Sequence, residues 1–129
     1  MVGMVLISHS AKVAEGTAEL VRQMAGEVAL AAVGGDASGG TGTDPEAIRE
    51  AIEGLQAREI LIFMDLGSAV MSAETVLEML DDDLRGRVHL VDAPFVEGAF
   101  SAGVIASSGA GAGECLEAAE EARTVSKLH

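Results

Sequence analysis

The chain alternates short, uniformly apolar runs with longer segments whose apolar residues recur every three or four positions. Val2-Gly3-Met4-Val5-Leu6-Ile7-Ser8 is apolar until its last residue, the pattern of a strand covered on both faces. After His9, Ser10 stands where a helix cap belongs, and Val13, Thr17, Leu20, Val21 and Met24 follow at helical spacing. Val28 to Val33 predicts a second buried strand. The glycine-rich stretch from Gly34 to Gly42 behind it has no side chains from which to build a core and predicts a loop.

Asp44-Pro45-Glu46 opens a second helix, with Asp44 as cap, Pro45 at the first helical position, and Ile48, Ile52 and Leu55 as its apolar face. Glu59 to Met64 predicts a third strand that ends at Asp65. Leu66-Gly67-Ser68 then turns into a helix carrying Val70, Ala73, Leu77 and Leu80 on one side, closed by the acidic triplet Asp81-Asp82-Asp83. A fourth strand is expected from Val88 to Val91. Pro94 lies near the start of the next helix, marked by Val96, Phe100, Gly103 and Val104 and stopped at Gly109. Glu114 to Arg123 reads as a surface helix whose inner face is Cys115, Leu116, Ala119 and Ala122.

Short apolar strands alternating with amphipathic helices require right-handed crossovers. They predict an α/β, three-layer sandwich with a mostly parallel central sheet and helices on both faces. With strand order 2-1-3-4 the winding reverses between the first and third strands, and ligand sites of such sheets lie beyond the carboxyl ends at that point. His9 and Asp65 both fall there.

A carboxylate that accepts the Nδ1 proton of an imidazole fixes its tautomer, leaves Nε2 as an outward-facing nucleophile and steadies the cation formed after attack. That is the role expected of Asp65 towards His9. An anion on His9 would lie near two helix starts, where unpaired N–H groups and the helix dipole favour negative charge, with Ser10, Gly67 and Ser68 as expected donors. The blander reading makes His9 a loop or capping residue and Asp65 a helix cap. Asp92 reads as an outer member of the site or as a turn residue before Pro94. His89, at the start of the fourth strand, and the terminal His129 do not read as partners of His9.

At 129 residues the chain predicts a single domain, 1–129, large enough for an apolar core without disulfides. Cys115 is the sole cysteine, so no internal bridge and no cysteine-held metal or cluster is expected, and a reducing cytoplasm is. No apolar stretch approaches the ~20 residues that span a bilayer. With 21 acidic against 8 basic residues the formal charge is −13, which argues against nucleic acid or anionic lipid as partners and for a basic protein surface. The glycine-rich loop lacks the Gly-Lys-Ser/Thr ending of a nucleotide P-loop, so no cofactor is expected. Two rival readings are a tetrapyrrole metal chelatase, which needs a second ligand facing the pocket, and a non-catalytic regulatory module.

The segments Val5-Leu6-Ile7-Ser8-His9-Ser10, Ala14-Glu15-Gly16, Gly34-Gly35, Gly42-Thr43, Asp65-Leu66-Gly67-Ser68-Ala69 and Val91-Asp92-Ala93-Pro94-Phe95-Val96-Glu97-Gly98-Ala99 together resemble the mannose-type IIA family of the phosphotransferase system. The resemblance covers nearly the whole chain. The serines flanking His9, the Asp-Leu-Gly-Ser-Ala turn and the run from Asp92 to Gly98 are more similar to the phosphoryl-transfer subunits of phosphoenolpyruvate-dependent dihydroxyacetone kinases than to the sugar-transporting members.

The resemblance implies that His9 is phosphorylated on Nε2 and that Asp65 orients it. It further implies that the donor is the phosphohistidine of the carrier protein HPr, and that the phosphate passes to ADP in the kinase subunit DhaL, which acts with DhaK on dihydroxyacetone. A homodimer is implied as well. Some relatives carry phosphocarrier and enzyme I-like domains on the same chain, so this chain is expected to use a separate donor. Asp44-Pro45 stands where the family often has a serine or threonine, which keeps a helix cap and leaves transfer intact.

Overall fold

In the computed structural model, which describes residues 1–129, the central strand is β1 (Val2–Ser8), buried along its whole length. Its parallel neighbours are β2 (Ala29–Gly34) and β3 (Glu59–Met64), and β4 (Val88–Leu90) pairs in parallel with β3, so the sheet order is β2-β1-β3-β4. The helices are α1 (Ala11–Met24), α2 (Pro45–Gly54), α3 (Gly67–Met79), α4 (Asp82–Arg85), α5 (Phe95–Ser107) and α6 (Ala112–Glu121). The three-layer arrangement and strand order are those expected from the alternation of elements.

Period-two alternation sends successive strand residues to opposite sides. Met4, Leu6, Leu61 and Phe63 face Ala18 and Val21 of α1, Ala99 and Ala102 of α5, and Cys115 and Ala119 of α6. Val5, Ile7, Ile60 and Ile62 face Ile48 and Ile52 of α2 and Ala69, Ala73 and Val76 of α3. Each fully buried residue of the size of Ile62 or Phe63 is worth about 1.5–3 kcal/mol relative to exposure, so the two cores hold β1 and β3 firmly in register. No helix is long and apolar enough to cross a membrane.

Five elements depart from the expected pattern. Strand β2, expected to be buried, is an edge strand and only half-buried throughout. Helix α5 turns Gly98, Ala99, Ala102 and Gly103 inward and leaves Val96 and Phe100 exposed, because it packs so closely that a Cβ on Gly98 would sit 2.7 Å from Ala93 Cβ. Helix α1 buries Ala14, Thr17, Ala18 and Val21 and leaves Val13, Leu20 and Met24 exposed. Small residues face inward because α1 lies close on the alanine-rich β2 and against Gly103 of α5, where an added Cβ would sit 2.7 Å from Val21 Cγ1. Helix α3 turns Ala69, Ala73, Val76 and Leu80 to the core, one position from the expected Val70 and Leu77, which are only half-buried. The acidic triplet does not simply close that unit: Asp81 caps the short α4, accepting the Leu84 N–H at 2.9 Å.

Candidate active site

The site forms where the winding reverses. β1 ends in Ser8 and feeds α1 on one side of the sheet, while β3 ends in Met64 and feeds α3 on the other. The two connections therefore diverge from neighbouring strand ends and leave a crevice between them. The Asp65 N–H donates to the Ile7 carbonyl at 3.2 Å, carrying the sheet pairing one residue past the strand end. His9 and Asp65 thus start from adjacent, rigid backbone.

His9 Nδ1 lies 2.9 Å from Asp65 Oδ1, with the two side chains 21% and 16% exposed. Asp65 Oδ1 also accepts the Leu66 N–H at 2.7 Å. Its Oδ2 accepts the Ser8 hydroxyl at 2.7 Å and the His9 backbone N–H at 3.1 Å. Burial pushes the Asp65 carboxyl up, but the donors from Ser8, the His9 ring, the His9 backbone and Leu66 outweigh it and hold it below its usual range. Asp65 is therefore an acceptor-only anion at neutral pH, so Nδ1 carries a proton and the neutral ring has its lone pair on Nε2.

Nε2 faces the Ser68 hydroxyl on the first turn of α3. With the lone pair on Nε2, Ser68 is the donor of that hydrogen bond. Leu66 occupies the N-cap position of α3 and supplies no side-chain cap, so the first N–H groups of the helix, those of Gly67 and Ser68, have no side-chain partner. The start of α1 is different. Ser10 Oγ accepts the Val13 N–H at 3.3 Å, and the Ser10 N–H donates to Ser8 Oγ at 3.0 Å. Ser10 thus supports α1 and Ser8, and its hydroxyl proton alone is left for another acceptor.

The glycine-rich loop carries no side chain into the site but anchors it. The Gly42 N–H donates to the His9 carbonyl at 2.9 Å, and Gly35 N–H to the Ser8 carbonyl at 3.3 Å. Thr43 Oγ1 and Ser72 Oγ, 2.7 Å apart, tie the end of the loop to α3. Asp92 belongs elsewhere: its carboxylate is 81% exposed and pairs with Arg123 at 2.8 Å, fastening the end of α6 to the β4–α5 connection. His89 pairs with Glu59 at 2.6 Å, where β3 and β4 begin, far along the sheet from His9. The part played by Ser8 is not visible in the sequence, because a lone polar residue closing an apolar strand carries no periodic signal.

No group of three or more His, Cys, Asp or Glu side chains is placed to hold a metal ion. A groove between α5 and the C-terminal residues, lined by Val96, Phe100, Ala122 and Val125 among others, contains neither His9 nor Asp65. What the crevice presents is an oriented imidazole whose free nitrogen sits at the uncapped start of a helix. That is an arrangement for taking an anionic group onto Nε2.

The family model for the EIIA-man family, described as the PTS system fructose IIA component, matches residues 3–120. The chain belongs to this mannose-type IIA family of the phosphotransferase system. Within it, the chain is 45% identical over 127 residues to the phosphoryl donor subunit DhaM of the PEP-dependent dihydroxyacetone kinase of Klebsiella michiganensis, a match covering 95% of this chain and 27% of that protein. It is 44% identical over 106 residues to the DhaM subunit of PEP-dependent dihydroxyacetone kinase 2 of Listeria innocua, covering 81% of this chain and 85% of that one. The chain therefore spans about a quarter of the enterobacterial relative and most of the Listeria one. A crystal structure of a protein of unknown function, EF1359, superposes with a TM-score of 0.86 at 39% identity, covering 93% of each chain.

Proposed function

We propose that this chain is the phosphoryl-transfer subunit of a dihydroxyacetone kinase, receiving a phosphoryl group on Nε2 of His9 and passing it on. The observation that carries the reading is the His9–Asp65 pair at 2.9 Å, with Nε2 turned to the start of α3. The relatives that carry the name DhaM, two of them matched here at 44–45% identity, direct the choice of pathway.

The donor is the phosphohistidine of HPr. As the Nε2 lone pair attacks phosphorus, the Ser68 hydroxyl rotates off Nε2 and donates to a phosphoryl oxygen, joined by the N–H groups of Gly67 and Ser68 and by the Ser10 hydroxyl. The N–P bond of the donor breaks and its electron pair stays on the donor imidazole. Asp65 steadies the positive charge that develops on the His9 ring. In the second step a terminal phosphate oxygen of ADP, held in DhaL, attacks the phosphorus, and the N–P pair returns to Nε2. DhaK then presents dihydroxyacetone to the ATP so formed. Catalysis by this chain is positioning and charge stabilisation, as suits a phosphoryl transfer with little covalent work for the protein. The unit that does this is residues 1–129, as a homodimer in the cytoplasm.

Intact mass after incubation with phosphoenolpyruvate, enzyme I and HPr tests the reading. Wild type gains one acid-labile phosphoryl group and His9→Ala gains none while keeping its circular dichroism spectrum. Adding DhaL with ADP removes the group and yields ATP. No adduct from a competent donor refutes the reading. An adduct that passes to a sugar-specific IIB protein and not to DhaL–ADP makes the chain a mannose-family sugar component instead.

A further inference from the structure

The site contains a fully buried hydroxyl, that of Ser8, which the mechanism above does not use. Ser8 closes β1 opposite Gly34 of β2, and its Oγ lies between the Ser10 N–H at 3.0 Å and Asp65 Oδ2 at 2.7 Å. We propose that Ser8 is a positioning residue for the reaction at His9, its hydroxyl holding Asp65 as an acceptor-only carboxylate so that the Nδ1 proton stays on the ring throughout transfer. The proposal rests on the phosphoryl-transfer reading.

The direction of the hydrogen bond is forced. A backbone N–H can only donate, so the Ser10 N–H takes a lone pair of Ser8 Oγ and leaves the single hydroxyl proton to point at Asp65. Asp65 then receives two donors on each oxygen: Ser8 and the His9 N–H on Oδ2, the His9 ring and the Leu66 N–H on Oδ1. A proton arriving on either oxygen meets donors already aimed at it.

This matters for the outgoing step. When the phosphoryl group leaves, the N–P electron pair stays on Nε2, and a ring that still carries its Nδ1 proton departs as neutral imidazole. A ring that had lost that proton to Asp65 would have to depart as imidazolate, a far poorer leaving group. Two of the four donors are backbone and the third is the reacting ring, so Ser8 is the one side chain among them that can be replaced without touching the reacting group; its loss removes a donor from Asp65 and the acceptor of the Ser10 N–H.

The test combines two measurements on wild type, Ser8→Ala and Ser8→Thr. Carboxyl carbon-13 titration of Asp65 and nitrogen-15 spectra of the His9 ring need no phosphoryl donor. Transfer from phosphorylated HPr is followed as a function of pH. Ser8→Ala is expected to raise the Asp65 titration midpoint by about one pH unit, to move the acid limb of the transfer profile up equally, and to slow transfer at neutral pH by no more than about ten-fold, the rate equivalent of one pH unit. Ser8→Thr, which keeps the hydroxyl, restores both readouts. If Ser8→Ala does not fold, Ser8→Cys, with its weak S–H donor, is expected to raise the midpoint by a smaller amount. An unmoved Asp65 midpoint in a folded Ala or Cys variant overturns the proposal. So does a slower rate with an unchanged pH profile, or a Ser8→Thr protein that behaves like Ser8→Ala. A wild type that takes no phosphate refutes the functional reading, while the titration still decides whether Ser8 holds Asp65 in its ionised form.

Discussion

Asp65 Oδ1 lies 2.9 Å from His9 Nδ1, and this contact joins residues 56 positions apart at the ends of adjacent strands. Replacing the carboxylate leaves His9 in place but frees its ring to rotate and to change tautomer. Asp65→Ala is expected to slow phosphorylation of His9 by roughly ten- to ten-thousand-fold, the span of tautomer and acid–base support. Rapid-quench kinetics with phosphorylated HPr measures it, and full activity would remove the role assigned to Asp65.

The same carboxylate links stability to pH. Its folded-state titration is depressed, so its stabilising contribution is complete above the ordinary aspartate value of about 3.9 and is lost as pH falls through the lower, folded value. Denaturant midpoints recorded from pH 7 down to pH 3 should fall more steeply for wild type than for Asp65→Asn. Parallel curves would show that the four hydrogen bonds do not favour the ionised form over the unfolded chain.

Ser68 occupies Nε2 in the resting protein and is assigned to the phosphoryl oxygen afterwards. Its removal deletes one of several donors. Ser68→Ala is expected to slow transfer by roughly ten- to hundred-fold, in keeping with a single hydrogen bond to a charged group, and to shorten the lifetime of the phosphorylated protein. A variant with an unchanged lifetime would remove Ser68 from the phosphoryl site.

The backbone of Gly34 approaches the start of α1 so closely that a Cβ there would sit 2.5 Å from the Ser10 carbonyl oxygen and 2.7 Å from Ala11 Cα. Backbone must move to admit it, at a cost of about 1–3 kcal/mol, and the segment that moves carries His9. Gly34→Ala should lower both the melting temperature and the transfer rate. Gly16→Ala in the exposed middle of α1, where an added Cβ meets nothing within 4 Å, should raise stability by about 0.5–1 kcal/mol. The opposite result for the pair would contradict the packing described at the β1–α1 junction.

Much of this site is legible in the order of residues alone. The uninterrupted apolar run of β1 and the cap at Ser10 put His9 at a strand end, and the run from Glu59 to Met64 does the same for Asp65. Asp44 caps α2 as its sequence predicts, accepting the Glu46 N–H at 3.1 Å. Packing against small partners is not legible. Size marks Val13, Leu20 and Met24 as core, whereas the face of α1 that packs on the sheet is that of Ala14, Thr17, Ala18 and Val21. In α3 apolar residues surround most of the helix, so Val70 and Leu77 cannot be told from Ala69 and Val76. The pairing of Asp92 with Arg123 crosses 31 positions and has no local signature. Ser8 shows why function can hide in a core strand, since its meaning lies wholly in what stands opposite.

The fixity of β1 has a consequence for traffic. A histidine fixed directly at the end of the central strand, which is flanked by parallel neighbours on both edges and covered on both faces, has no arm on which to swing its cargo. Under the proposed function, donor and acceptor must therefore visit the same doorstep in turn, each leaving before the other arrives. The flux through such a relay is capped by how quickly its visitors let go, and tighter docking of either one would slow the whole line.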